Sequence, residues 1–134
     1  LKEVEFDEKN FIELKNYCKE KEITFLCTPW DIPSVDFLEK LNVPAYKIAS
    51  ADMTNLPLIS YISKFKKPMI ISTGMANLNE IELTYKTAKK YGAKDITLLY
   101  CVSNYPSKVS DFNLNNIKIL KDKFNNEALS WFSY

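Results

Sequence analysis

From Phe25 onward the chain repeats one theme. A short apolar run ends in polar punctuation, and a stretch with apolar residues every three or four positions follows. The first spacing is that of a strand and the second that of a helix. An opening helix is expected over 8–20, where Phe11, Leu14, Tyr17 and Cys18 share a face. A strand from Ile23 to Thr28 is stopped by Pro29. Ser34 is positioned to cap a helix bearing Val35, Phe37, Leu38 and Leu41, and Pro44 closes it. Tyr46 to Ser50 forms the second strand. Leu56, Ile59, Ile62 and Phe65 mark the next helix, with Pro57 in its first turn.

Met69 to Thr73 is the third strand, and Gly74 is its tight exit. Asn77 and Glu80 have capping-box spacing ahead of Ile81, Leu83 or Thr84, and Ala88. Gly92 suits the position just past that helix. Ile96 to Val102, nearly all apolar, reads as a strand buried on both faces. Leu114, Ile117, Leu120 and Phe124 make the last helix, and Leu129 to Ser133 begins a weaker fifth strand.

Strands that alternate with helices imply crossover connections and a parallel sheet. Two closures fit, an open doubly wound sheet or a (β/α)8 TIM barrel. With only two glycines and no G-x-G-x-x-G, the chain offers little for dinucleotide binding. Polar side chains at several strand ends favour the barrel, which takes eight strands in about 250 residues. About five β/α units in 134 residues make only a central part of one. A start on a helix and a stop inside a strand read the same way. The expectation is a partial barrel over 1–134 with two open edges and a tendency to self-associate.

Charge narrows the function. Lys plus Arg is 18 and Asp plus Glu is 17, so no basic face for nucleic acid or anionic lipid is expected. No apolar run approaches the roughly 20 residues that span a bilayer. The chain has no histidine, which removes Ser-His-Asp chemistry and histidine-containing zinc sites from it. Cys18, Cys27 and Cys101 lack CxxC spacing and read as small core side chains in a reducing cytoplasm.

The chemistry sits at the strand tips. Phe25-Leu26-Cys27-Thr28, Tyr46-Lys47-Ile48-Ala49-Ser50, Met69-Ile70-Ile71-Ser72-Thr73 and Leu98-Leu99-Tyr100-Cys101-Val102-Ser103 bring one lysine and several hydroxyls to one rim. In a parallel barrel that rim carries the active site. An ammonium with rotatable hydroxyl donors suits an anion, most simply a phosphate.

Four motifs carry a family resemblance: Phe25-Leu26-Cys27-Thr28-Pro29-Trp30-Asp31, Tyr46-Lys47-Ile48-Ala49-Ser50-Ala51-Asp52, Ile71-Ser72-Thr73-Gly74-Met75-Ala76 and Leu99-Tyr100-Cys101-Val102-Ser103-Asn104-Tyr105-Pro106. In this order they resemble the sialic acid synthases, which include N-acetylneuraminate, legionaminic and pseudaminic acid synthases. The resemblance implies a TIM barrel, here from its second helix to the start of its seventh strand. It also implies an antifreeze-like domain beyond this chain and a homodimer. The implied reaction condenses phosphoenolpyruvate with an N-acylated amino sugar, giving a nine-carbon 2-keto acid and phosphate. By the same resemblance Thr28, Lys47, Ser50, Ser72, Ser103, Tyr105 and Ser133 surround phosphoenolpyruvate, with Lys47 as the catalytic cation. A divalent metal, manganese or magnesium, would activate the sugar aldehyde through ligands outside this chain.

Three departures stand out. Ser103 occupies a position where many members have asparagine, and Tyr100 one where many have histidine. Trp131-Phe132-Ser133-Tyr134 replaces a glycine-containing ending. The alternatives are a non-catalytic barrel module, or another phosphoenolpyruvate aldol-type synthase that makes a shorter keto-acid phosphate. The complete absence of arginine disfavours a sugar-phosphate substrate.

Overall fold

The computed structural model describes residues 6–124 and the backbone of 128–129. Helices α1 (Glu8–Glu20) and α2 (Ile32–Lys40) precede strand β1 (Tyr46–Ile48). Then come α3 (Leu56–Ser63), β2 (Met69–Ser72), α4 (Leu78–Lys90), β3 (Ile96–Leu99), α5 (Asn115–Lys123) and β4 (Ala128–Leu129). The four strands form one sheet in the order β1-β2-β3-β4, with every pairing parallel. Helices α3, α4 and α5 each cross from one strand to its parallel neighbour, as the alternating pattern requires.

The two faces of the sheet differ. Tyr46, Ile48, Met69, Ile71, Ile96 and Leu98 are at most 2% exposed. They pack with Val35, Leu38, Ile59, Ile62, Ile81 and Ala88 of the helices into one core. Each of the Val, Leu, Ile and Met side chains stabilises the fold by about 1.5–3 kcal/mol through burial. The alternate residues Lys47, Ile70, Ser72, Thr97 and Leu99 line the opposite, concave face. That face is only half-buried along β3, in contrast to the burial on both faces expected from its apolar sequence.

Local chemistry explains most boundaries. Asn77 accepts from the N–H groups of Asn79 and Glu80, while Glu80 Oε2 accepts from Asn77 N–H, closing the expected capping box. Gly92 follows α4 with φ 112°, in the left-handed region that favours glycine. Helix α2 corrects the expected cap. Asp31, not Ser34, is the N-cap, and Ser34 N–H donates to its Oδ1 at 2.8 Å. Pro33 in the first turn, one residue before Ser34, already belongs to the helix.

The expected strands shorten at their ends: β1 stops at Ile48 instead of Ser50 and β2 at Ser72 instead of Thr73. Among the described residues, Ile23 to Thr28 joins no ladder, and β1 pairs only with β2. Phe25 and Cys27 still pack on the core while Leu26 faces the cavity, so the period of two survives without sheet hydrogen bonds. β3 ends at Leu99 instead of Val102. There Thr73 N–H and Thr73 Oγ1 both donate to the Leu99 carbonyl, at 3.0 and 2.9 Å, and end the ladder. The expected fifth strand begins with Ala128 and Leu129, which pair with Leu98 and Leu99. Residues 130–134 lie outside the described residues.

Candidate active site

A cavity of about 680 Å³ opens on the concave face. Its wall is made by Leu26, Lys47, Ala49, Ser50, Ile70, Ser72, Thr97, Leu99, Cys101, Ser103 and Tyr105. The topology explains the grouping. Parallel strands bring all their C-terminal ends to one side, and alternation sends every second residue of β1, β2 and β3 to one face.

Lys47 anchors the site. Its register partners are Ile70 on β2 and, one strand further, Thr97 on β3. Its ammonium leans toward the strand ends and donates to Ser72 Oγ at 2.7 Å and to the Ile48 carbonyl at 2.9 Å. An ammonium has three donors, so one remains for a ligand. Burial pulls the Lys47 pKa below its ordinary value, and the neighbouring Cys101 side chain partly opposes that shift. An anion docking beside the ammonium would offset this desolvation cost.

Ser72 is 7% exposed. Its oxygen accepts from Lys47, which leaves its own hydrogen free to turn toward a ligand. Ser50 begins a short 3-10 turn, Ser50–Asp52, directly after β1. The loop after β3 carries Ser103 and Tyr105, and Tyr105 is 69% exposed. Among the described residues that line the cavity, Lys47 is the only cation.

Five of the seven residues named from the sequence therefore meet in one cavity: Lys47, Ser50, Ser72, Ser103 and Tyr105. Thr28 is half-buried at the end of the edge segment and is not part of the cavity wall. Ser133 lies outside the described residues. Sequence reading missed Thr97 and Cys101. Strand alternation places Thr97 with Leu99, but only the register reveals that it shares a row with Lys47.

No cluster of three or more His, Cys, Asp or Glu side chains suited to a metal exists among the described residues. The cavity wall offers one ammonium, hydroxyls and a thiol, so these residues do not fit a resident divalent ion. No described helix is long and apolar enough to cross a membrane.

Fold and cavity together define a parallel α/β protein with an anion-suited site at its strand ends. Residues 1–131 match the NeuB family, and the chain belongs to that family. It is 48% identical over 125 residues to an uncharacterized protein of Methanocaldococcus jannaschii, covering 93% of this chain and 37% of that protein. It is 44% identical over 126 residues to the N,N'-diacetyllegionaminic acid synthase of Campylobacter jejuni, covering 92% of this chain and 38% of that enzyme. The chain thus spans well under half the length of these relatives.

The structure of an N-acetylneuraminic acid (sialic acid) synthetase from Leptospira borgpetersenii, in complex with citrate, superposes with a TM-score of 0.88 at 36% identity. The match covers 96% of this chain and 44% of that one. A truncated 3-deoxy-D-arabino-heptulosonate 7-phosphate synthase from Thermotoga maritima shares the fold, with a TM-score of 0.71 at 14% identity. It covers 96% of this chain and 49% of that one.

Proposed function

We propose that these residues form the phosphoenolpyruvate-holding part of a synthase that condenses phosphoenolpyruvate with an N-acylated amino sugar. The product is a nine-carbon 2-keto acid, released with phosphate. The observation that carries this reading is the Lys47–Ser72 pair. It sits in a cavity of about 680 Å³ at the C-terminal ends of parallel strands, in a chain of the NeuB family. The relatives at 34–48% identity include legionaminic, pseudaminic and N-acetylneuraminate-9-phosphate synthases. That range favours this reading over a non-catalytic module, and over the heptulosonate synthases matched at 14% and 12%.

In the proposed reaction Lys47 and the hydroxyls of Ser50, Ser72 and Ser103 hold the anionic groups of phosphoenolpyruvate. Its C3 then faces the open-chain aldehyde of the sugar. The C3–C1 bond forms as the enol π electrons attack the aldehyde carbon, whose oxygen takes a proton. Water adds at C2, and the tetrahedral intermediate collapses to the ketone and expels inorganic phosphate. Preorganised donors supply most of the catalysis, because they need not reorient as charge moves.

The four-stranded sheet is one arc of a closed (β/α)8 barrel whose remaining strands supply the further cations that phosphoenolpyruvate needs. The assembly is a homodimer. The three free cysteines fit a reducing cytoplasm. The test is to incubate the full-length protein with phosphoenolpyruvate and N-acylated amino sugars and follow product mass and phosphate. One nine-carbon keto acid per phosphate supports the proposal. Phosphate release without a sugar-derived product contradicts it.

A further inference from the structure

Gly74 stands at the exit of β2, beneath the loop that carries Ser103 and Tyr105. A Cβ built on Gly74 would lie 2.8 Å from Ser103 Oγ, 2.9 Å from the Cys101 carbonyl oxygen and 3.1 Å from Cys101 Cβ. Real Cβ atoms essentially never approach backbone this closely. The need for glycine is spatial. Of the two glycines only Gly92 has a positive φ, so Gly74 is not required for its backbone angles.

The clash cannot be relieved from the Gly74 side. The preceding residue, Thr73, is 5% exposed and is clamped to β3, with N–H and Oγ1 both donating to the Leu99 carbonyl. The following turn is closed by Ala76 N–H donating to the Thr73 carbonyl at 3.2 Å. Gly74 is thus fixed on both sides. The 101–103 backbone starts two residues past Leu99 and belongs to no ladder, so it is the part that would yield.

We propose that Gly74 is a positioning residue for the phosphoenolpyruvate site. Its bare α-carbon is the seat that sets the 101–105 loop at the depth where Ser103 and Tyr105 face Lys47 and Ser72. Any side chain there lifts the loop out of the cavity wall while the sheet beneath stays in place. This rests on the reading of the cavity as the phosphoenolpyruvate site, and it assigns a role to a residue that does not itself line that cavity.

The experiment uses the full-length protein and three measurements on Gly74→Ala: the Kd of phosphoenolpyruvate alone, the KM of the amino sugar and a thermal melt. The expected result is tenfold or weaker phosphoenolpyruvate binding, with sugar KM and melting temperature close to wild type. A merely structural glycine would lower the melting temperature and leave the affinity of the remaining folded protein unchanged, which overturns the proposal. Lys47→Ala is measured in parallel. If Lys47→Ala weakens binding and Gly74→Ala does not, the Gly74 proposal alone fails. If Lys47→Ala has no effect, the site reading itself fails.

Should Gly74→Ala not fold, hydrogen exchange on the wild-type protein decides. Residues 72–76 and 101–105 must gain protection together when phosphoenolpyruvate binds. Protection of residues 72–76 with no change in 101–105 contradicts the proposal.

Discussion

Lys47 on β1 donates to Ser72 on β2 across 2.7 Å, although the strand register pairs Lys47 with Ile70. The side chain therefore crosses diagonally, two residues toward the strand ends. It places its charge in the cavity wall beside Ser72, toward the C-terminal ends of the strands. Ser72 Oγ on the neighbouring strand and the Ile48 carbonyl on its own strand hold the ammonium in that direction.

Ser72→Ala should accordingly weaken phosphoenolpyruvate binding by about 0.5–1.5 kcal/mol, the usual net contribution of one hydrogen bond. Combined with Lys47→Ala in a double-mutant cycle, it should be non-additive by at least about 0.5 kcal/mol, as residues in contact are. Titration of all four proteins measures this. Strict additivity would show that Ser72 does not orient Lys47.

The depressed pKa of Lys47 gives a pH dependence. The ammonium loses its proton below the pH at which an exposed lysine would, the ordinary value being 10.5. An anion prefers the charged form, so phosphoenolpyruvate affinity should fall as pH rises through this lowered pKa. For stability the sign is opposite. Holding the charge in a partly desolvated site is a cost at neutral pH, and that cost disappears as pH rises from the folded pKa toward 10.5. Binding titrations along the alkaline limb should show the loss in wild type. In Lys47→Ala this component should be missing, and an identical alkaline limb in both proteins would refute the assignment.

Much of this site was legible in the residue order. Alternation and capping chemistry placed α3, α4 and α5. The polar tips of the strands placed Lys47, Ser50, Ser72 and Ser103 on one rim before any pairing was known. The misses have physical causes. Ile23 to Thr28 has strand composition, yet a strand also needs a partner ladder, which composition cannot supply. Asp31 and Ser34 are both good caps at a spacing of three, and only the backbone decides which one turns out of the helix. The importance of Gly74 depends on Cys101 and Ser103, 27 and 29 residues away in the chain, so no local pattern announces it.

Two ion pairs tie α4 to itself and to α5. Glu82 reaches Lys123 and Lys86, each at 2.5 Å. Hydrogen bonds from Lys123 and then Lys86 hold its carboxyl down at about 2, against an ordinary 4.5. A depressed carboxylate contributes stability above its unfolded pKa and loses it as pH falls through the folded one. The difference in melting temperature between wild type and Glu82→Gln should thus be fully present at pH 7 and shrink between about 4.5 and 2. A difference that is constant across that window would show that the pairs contribute nothing through charge.

Tyr46 is fully buried on the helix side of β1, and its hydroxyl donates to Glu39 Oε1, which Lys67 also reaches at 2.8 Å. Burial, reinforced by the Glu39 contact, pushes the phenol pKa far above its ordinary value, so Tyr46 stays a neutral donor. Tyr46→Phe keeps the ring packing and removes one bond to a charged acceptor. It should destabilise the protein by about 1.5–3 kcal/mol in denaturant unfolding. Phosphoenolpyruvate affinity should be unchanged, because Tyr46 faces away from the cavity.

In the proposed site Lys47 holds phosphoenolpyruvate. The most direct measurement is calorimetric titration of phosphoenolpyruvate into full-length wild type and Lys47→Ala, with a thermal melt of each. Loss of a charge-assisted contact should weaken binding by about 1.5–3 kcal/mol, roughly ten- to a hundredfold, with little change in melting temperature. Lys47→Arg should not restore it, because a planar fork does not reproduce a compact ammonium between Ser72 and the Ile48 carbonyl. Equal affinity in wild type and Lys47→Ala would contradict the account.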